Sequence, residues 1–419
     1  MSGRHVYSGR DARVLLAAMG LNSLPFGFTL VVLPIYLIDI GYSPEIVGAI
    51  TSISTLANTI ALIPFAIIAD RYGRKPLTIF GFVFSALAYA IFAFTRDFNS
   101  LLLATVIGGV GLAGGISGAL STPAWTAWLA EKAPGEKRTK AFAWSQGIWT
   151  LALTAGSIMS VLPMLFRTYF GLAFSVSYEF VFLILMCVAI LSGLVLLPIS
   201  EAPTGELGIG DDPRHLFPSK SRRPIAKYSV TLGLVGFGSG IGFQLLSLWF
   251  NRMYGVNEFV LGPWFAAAEI TSLVVVPFIP ILTSRIGSPK SVLVTQGLSA
   301  CLLTLMILAP TYELAATIYV ARNFLMNISW PVQQSYLMGT VATDERASAS
   351  AITSMVWGIG SSVGPFLAGY FLAASSYPML SAPLIIGGAA YLAAAIGFYY
   401  FFRGHPLPEE TLFWGRGQS

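Results

Sequence analysis

Twelve apolar stretches, each close to 20 residues long, follow one another along the chain with short polar breaks between them. An α-helix needs about 20 apolar residues to cross the ~30 Å hydrocarbon layer of a bilayer. The stretches lie at roughly 14–38, 46–68, 77–94, 100–122, 141–163, 178–199, 228–250, 257–282, 290–309, 313–338, 347–373 and 380–402. Their apolar runs are near-continuous, without the strict alternation of a barrel strand, so helices are predicted. Charged residues are 10% of 419, far below the roughly 25% of soluble chains. Mean hydropathy is +0.73. A soluble enzyme or a nucleic-acid binder is therefore not expected. The net charge of +5 comes from basic residues scattered over short loops, with no basic stripe.

The Lys and Arg positions predict an orientation. With the N-terminus inside, twenty of the 24 fall in cytoplasmic segments and three, Arg96, Arg167 and Arg252, fall outside. The last, Arg322, is within a span. Both termini are expected in the cytoplasm, at the cell (inner or plasma) membrane. Arg4, Arg10 and Arg13 precede the first stretch without a small-residue cleavage site, so an uncleaved first helix is expected.

The loops are short except for 200–227, a Pro-rich and charge-rich linker. It divides the chain into a six-helix bundle at 1–199, a second at 228–402, and a tail at 403–419. The two halves repeat. At an offset of 214, Gly41, Gly48, Arg71 and Gly73 match Gly255, Gly262, Arg285 and Gly287. At an offset of 208, Ser121, Pro123, Trp149 and Gly156 match Ser329, Pro331, Trp357 and Gly364. Two parallel halves of this kind are how secondary transporters build a midplane site with alternating access.

One polar run, Asp70-Arg71-Tyr72-Gly73-Arg74-Lys75-Pro76, carries four formal charges between two apolar stretches. Buried in hydrocarbon each charge would cost several kcal/mol, about 3 on insertion scales, so the run must lie in water or headgroups. Gly73 permits a tight reversal and Pro76 can start the next helix. The run resembles the loop between helices 2 and 3 of the major facilitator superfamily, G-x-x-x-D-R-x-G-R-R/K, with Asp70, Arg71, Gly73, Arg74 and Lys75 matching and Ala66 in place of the leading Gly. The resemblance implies an all-α membrane protein with twelve transmembrane helices in two pseudo-symmetric bundles, and a gating role for those five residues. The plainer alternative is a charge cluster that only keeps a hairpin loop in the cytoplasm. Gly360 to Gly369 also looks like the antiporter-associated Gly-x-x-x-Gly-Pro motif, but in span 11, whereas in that subfamily it belongs to span 5. The Arg that drug/proton antiporters carry in span 4 is missing, since 100–122 has no charge.

Intramembrane polar residues are the candidates for a substrate or proton site. Glu269 and Arg322 are lone charges near the middle of spans 8 and 10. Gln244 is deep in span 7, Asn22 in span 1, Asn58 in span 2 and Gln146 near the inner end of span 5. Arg322, Met326, Ser329 and Gln333 follow helical spacing on one face. By resemblance, spans 1, 4, 7 and 10 line the cavity, so that Arg322 and Gln244 face substrate. Glu269 and Arg322 are expected either to neutralise each other or to divide proton and anion binding. Asp39, Glu179 and Glu313 read as interfacial. Glycines in span 4 (Gly111-x-x-x-Gly115, Gly114-x-x-x-Gly118) and span 7 read as close helix packing. Cys187 and Cys301 read as free thiols packed as small hydrophobes. His5, His215 and His405 lie in polar segments, and no metal spacing or phosphate-binding loop appears, so no cofactor and no direct ATP drive are expected.

The reading is a monomeric secondary transporter of a small molecule, proton-coupled efflux first. Uptake of a small organic anion or nutrient with Arg322 as anion partner is the alternative. A non-transporting sensor or lipid-handling protein is the alternative from another class.

Overall fold

Residues 9–109, 114–133, 136–201, 220–342 and 345–404 are described in a computed structural model of the chain. The three histidines, most of the linker and most of the tail lie outside them. Apolar side chains cannot satisfy backbone polar groups in hydrocarbon, so each stretch closes its own hydrogen bonds as a helix. Among the described residues there are helices and turns and no strands. The first half contains α1 (Gly9–Asp39), α2 (Pro44–Tyr72), α3 (Arg74–Phe94), α4 (Phe98–Gly108), α5 (Gly115–Lys132), α6 (Glu136–Ile158), α7 (Leu162–Phe170) and α8 (Phe174–Leu196). The second contains α9 (Arg222–Gly242), α10 (Leu246–Tyr254), α11 (Glu258–Val274), α12 (Phe278–Ile286), α13 (Ser288–Leu305), α14 (Tyr312–Thr340), α15 (Arg346–Ala373) and α16 (Tyr377–Phe402). Among the described residues, helix falls within each of the twelve predicted stretches.

Among the described residues, nine helical stretches are long and apolar enough to cross a membrane, and α11 with α12 makes a tenth, bent by 59°. The bend falls at Pro277, the residue that opens α12. A proline there lacks the N–H that would continue α11. The predicted span 4 is not one helix. Gly109, Gly114 and Gly115 adopt φ of +87°, +66° and +50°, which stops α4 and restarts the chain as α5. The span-4 glycines therefore break a helix as well as packing one, a correction to the sequence reading. Gly111 lies outside the described residues.

The chain forms two compact units. Unit 1 comprises residues 1–41, 53–209 and 257–266; unit 2 comprises 42–52, 210–256 and 267–419. Each half of the sequence thus contributes a short stretch to the unit built mainly by the other. In unit 1, α1 packs along α6 and α3 along α8. In unit 2, α9 packs along α15 and α16, and α13 along α14 and α16. The α1–α6 contact is so close that a Cβ on Gly156 would collide with the Leu24 carbonyl. In unit 2 Gly364, the repeat equivalent of Gly156, stands against the backbone of Gly240 in α9 in the same way. The glycines of the repeated turns also agree: Gly73 has φ +106° and ψ 148° before α3, and Gly287 has φ +80° and ψ 156° before α13. Cys187 and Cys301 are free but exposed, so they do not fill a core.

Candidate functional site

Unit 1 encloses a cavity of about 480 Å³, within the range usual for small-molecule sites. Three of the sequence candidates, Asn22 on α1, Asn58 on α2 and Gln146 on α6, all line it. Its walls are aromatic, with Phe26, Trp125 and Trp149 prominent, and none of its lining residues is charged. Trp149 packs on Phe26 at 5.7 Å between ring centres, and the Trp125 indole N–H is fixed on the Leu15 carbonyl at 3.2 Å. Asn58 Nδ2 donates to the Gly115 carbonyl at 2.7 Å, beside the break in span 4. Asn22 Oδ1 is buried without a hydrogen-bond partner. The lining hydroxyls of Ser23, Ser121, Thr126 and Ser145 donate to carbonyls of their own helices. Their lone pairs remain available as acceptors.

At one end of unit 1 the polar run is built into the helix packing. Gly73 turns the chain, and the Glu201 carboxylate accepts from the backbone N–H groups of Arg74 and Lys75, the latter at 3.0 Å. A carboxylate at a helix N-terminus satisfies donors that have no partner within the helix. The Lys75 ammonium donates to the Leu197 and Ile199 carbonyls at 2.6 and 2.8 Å, at the C-terminal end of α8. Arg74 reaches the Ala127 carbonyl and, at 3.5 Å, Glu131 on α5. The run thus ties α3 to α5 and α8. Arg71 is exposed, and the side chain of Asp70 lies outside the described residues.

The remaining candidates belong to unit 2. Gln244 sits in the break between α9 and α10, where Nε2 donates to Ser361 Oγ at 2.7 Å. Arg322 is 3% exposed. Its guanidinium carbon lies 5.9 Å from the Phe243 ring centre and 5.0 Å from that of Tyr391. Nε and Nη2 have no hydrogen-bond partner. Glu269 and Arg322 do not form an ion pair, which was one of the two arrangements expected of them; the guanidinium lies against two rings. Tyr319 lies within electrostatic reach of both charges. Asn323 Nδ2, next to Arg322, donates to the Ala268 carbonyl at 2.7 Å, next to Glu269. Met326 is half-buried on the same helix.

Ser329 belongs to a closed network. Gln296 on α13 accepts at Oε1 from Ser329 Oγ (3.0 Å) and from Gln333 Nε2 (2.7 Å), and its own Nε2 donates to the Tyr391 carbonyl at 2.9 Å. All three side chains are buried. The sequence reading missed Gln296, although an amide within an apolar span was the signal that flagged Asn22 and Gln244. It also missed a second group, at the end of unit 1 opposite Gly73. Glu258 is 2% exposed and accepts a hydrogen bond from Tyr178. Arg167 Nη2 is 3.9 Å away. Glu179, by contrast, is the partner of Arg96 in an exposed ion pair.

Two repeated units, a neutral cavity and isolated charges inside spans are the features of a polytopic helical membrane protein. The Major Facilitator Superfamily profile matches residues 15–326 and 232–418, and the chain belongs to that family, whose members are transporters and not enzymes. It is 22% identical over 406 residues to the class C tetracycline resistance protein of Escherichia coli, covering 90% of this chain and 94% of that one. It is 29% identical over 136 residues to the quinolone resistance protein NorA of Staphylococcus aureus (strain MRSA252), covering 32% of this chain and 33% of that one. Among solved structures, a bacterial homologue of the human lysosomal transporter Spinster, inward-facing and unoccupied, superposes with a TM-score of 0.69 at 18% identity. That match covers 97% of this chain and 99% of the other. The nucleoside transporter NupG gives a TM-score of 0.73 at 14% identity, covering 94% and 99%. At such identities the structural likeness is one of fold.

Proposed function

We propose that this transporter exports an amphipathic organic molecule across the cell membrane in exchange for protons, its two sequence halves, 1–199 and 228–402, working as alternating-access bundles. The carrying observation is the uncharged, aromatic, amide-lined cavity of unit 1. It suits a flat apolar body with a few hydrogen-bonding groups, and it offers no cation for an anionic substrate. Two relatives named for drug resistance support the outward direction. Both termini are placed in the cytoplasm by the Lys and Arg distribution, and the protein acts as a monomer. Asn22, Asn58 and Gln146 contact substrate. Glu269, without an ion-pair partner among the described residues, carries the coupling proton, and Asp70 to Lys75 gate the inner side.

The second reading, uptake of a small organic anion, rests on the unpartnered Nε and Nη2 of Arg322. Proteoliposomes with an imposed pH gradient separate the readings, using ethidium and fluorescein as cationic and anionic probes. Ethidium moving against the proton flow, and slowed by Asn22→Leu, is the expected result. Fluorescein moving with protons, and lost in Arg322→Gln, would select the second. No proton-dependent flux of either probe would leave the sensor alternative.

A further inference from the structure

A groove of about 780 Å³ runs along unit 2 between α13 and α16. It has no place in the proposed cycle. Its floor is made of small buried residues, Ala300, Ser381 and Gly388. Its rim carries exposed apolar side chains, among them Leu305, Leu308 and Ile385. Small residues let the two helices approach closely, and a Cβ on Gly388 would already collide with Thr304 Oγ1. The unit 1 cavity presents amides and hydroxyls, whereas this groove is almost wholly hydrocarbon. An exposed apolar rim on two membrane-spanning helices belongs in lipid, because water there would wet large apolar side chains.

One polar group in the groove is unsatisfied. Thr304 Oγ1 donates to the Ala300 carbonyl at 3.2 Å, and the Tyr377 hydroxyl donates to the Ile307 carbonyl at 2.7 Å. Ser381 is 2% exposed, and its Oγ has no hydrogen-bond partner. A serine within a helix can donate to the carbonyl four residues back, as Ser23 and Ser121 do in unit 1. Ser381 leaves that bond unmade. A buried hydroxyl without a partner costs free energy, and no water is at hand in hydrocarbon to relieve it.

The dimensions say what fits. Ser381 lies one turn inside α16, which opens at Tyr377. From Ser381 to Leu392, the far end of the groove, the helix rises about 16 Å at 1.5 Å per residue. One leaflet of a ~30 Å hydrocarbon layer is about 15 Å deep. The groove is therefore one leaflet long, with its free hydroxyl at the interfacial end, where lipid esters sit. A helix of another protein is about 10–12 Å across with its side chains, too broad to bring an acceptor to a covered floor residue. An acyl chain is a single file of methylenes.

We propose that this groove is a lipid site: one acyl chain of a glycerophospholipid lies between α13 and α16, and its ester carbonyl accepts a hydrogen bond from Ser381. In the orientation given by the basic residues, Tyr377 is at the outer end of α16, so the lipid belongs to the outer leaflet. The crevice between α3 and α8 in unit 1, lined by apolar residues alone, has no hydroxyl to fix an ester. The site does not depend on which molecule is carried.

The test uses the native chain, because Cys301 lines the groove and Cys187, on α8 of unit 1, does not. Purified protein in detergent is stripped of lipid and treated with a lipid-soluble maleimide, and labelling of each cysteine is followed by peptide mass spectrometry. The Cys301 rate divided by the Cys187 rate cancels dilution of the reagent into lipid. Dioleoyl phosphatidylglycerol is titrated beside its diether analogue, which has the same chains and headgroup but no carbonyl. The ester lipid is expected to lower the ratio at least fivefold at saturation. Its half-effect concentration should lie about threefold below that of the diether, the size of an ordinary hydrogen bond within a membrane. Ser381→Ala should remove the difference between the two lipids. Ala389→Trp, which fills the groove from an exposed position, should lower the ratio without lipid and leave it insensitive to both. A ratio that ignores both lipids in the native chain overturns the site, and so does an ester preference that survives Ser381→Ala in protein eluting as the native monomer. A ratio that falls with ethidium or with protein concentration but not with lipid also overturns it, and would assign the groove to the carried molecule or to a second copy of the chain. No flux is read, so a failed lipid site and a failed transport reading are distinguishable.

Discussion

The guanidinium of Arg322 lies 5.0 Å from the ring centre of Tyr391, with Nε and Nη2 unpaired. A ring can return about 2 kcal/mol to a desolvated cation, less than burial of an ion costs. Arg322→Met is therefore expected to stabilise the protein, by ~1 kcal/mol or more, and to abolish transport only if the carried species is the organic anion of the second reading. Thermal unfolding in detergent and flux in proteoliposomes measure the two. Loss of stability in Arg322→Met would show that the charge has a partner in the fold.

Gln296 holds three groups together, so its removal leaves several buried polar atoms unpaired. Each such atom costs about 1–3 kcal/mol. Gln296→Leu is expected to lower stability by ~3 kcal/mol on that scale, much more than Gln334→Leu at a half-buried position of α14. Denaturant or thermal midpoints of the two variants provide the comparison.

Glu201 caps α3 through the Arg74 and Lys75 amides. Caps contribute about 0.5–2 kcal/mol, and Glu201→Ala should lose stability in that range. Because the same amides belong to the run proposed to gate the inner side, initial transport rate at matched expression should fall as well. An unchanged rate would reduce the run to a topological signal.

Two glycines of α6 should respond oppositely. A Cβ at Gly156 meets the α1 backbone, whereas a Cβ at Gly147 meets nothing within 4 Å. Gly147→Ala is expected to stabilise by ~0.5–1 kcal/mol through helix propensity. Gly156→Ala should give little folded protein. Yield of monodisperse protein after purification reads both.

How far the sequence carried depended on what kind of signal each residue left. The helical spans, the repeat and the turn at Gly73 followed from apolar length and spacing, because a bilayer allows few alternatives. Asn22, Asn58 and Gln146 stood out singly as polar residues in apolar runs, but their convergence on one cavity is tertiary and has no period. Arg322 was visible; its partners were not, since Phe243 and Tyr391 look like any lipid-facing aromatics. The break at Gly109–Gly115 was hidden for a different reason. Glycines that pack helices and glycines that end them have the same letters, and only φ separates them. Glu258 was overlooked because a carboxylate at a span end reads as interfacial until a neighbour buries it.

The exchange of stretches between the units bears on how the chain is made. A ribosome delivers residues 1–209 first, and unit 1 then still lacks 257–266. Through synthesis of the linker, α9 and α10, the surface around Ser157 and Ser160 has no Gly262 to cover it, and Tyr178 has no Glu258 to bond. The first half therefore leaves the translocon as an incomplete body that waits for its last piece. Residues 42–52 wait in the same way for the Gly369 face of α15, which receives Gly48. Assembly of either unit ends only when most of the chain has been translated, and a half-length fragment would carry an open seam into the membrane.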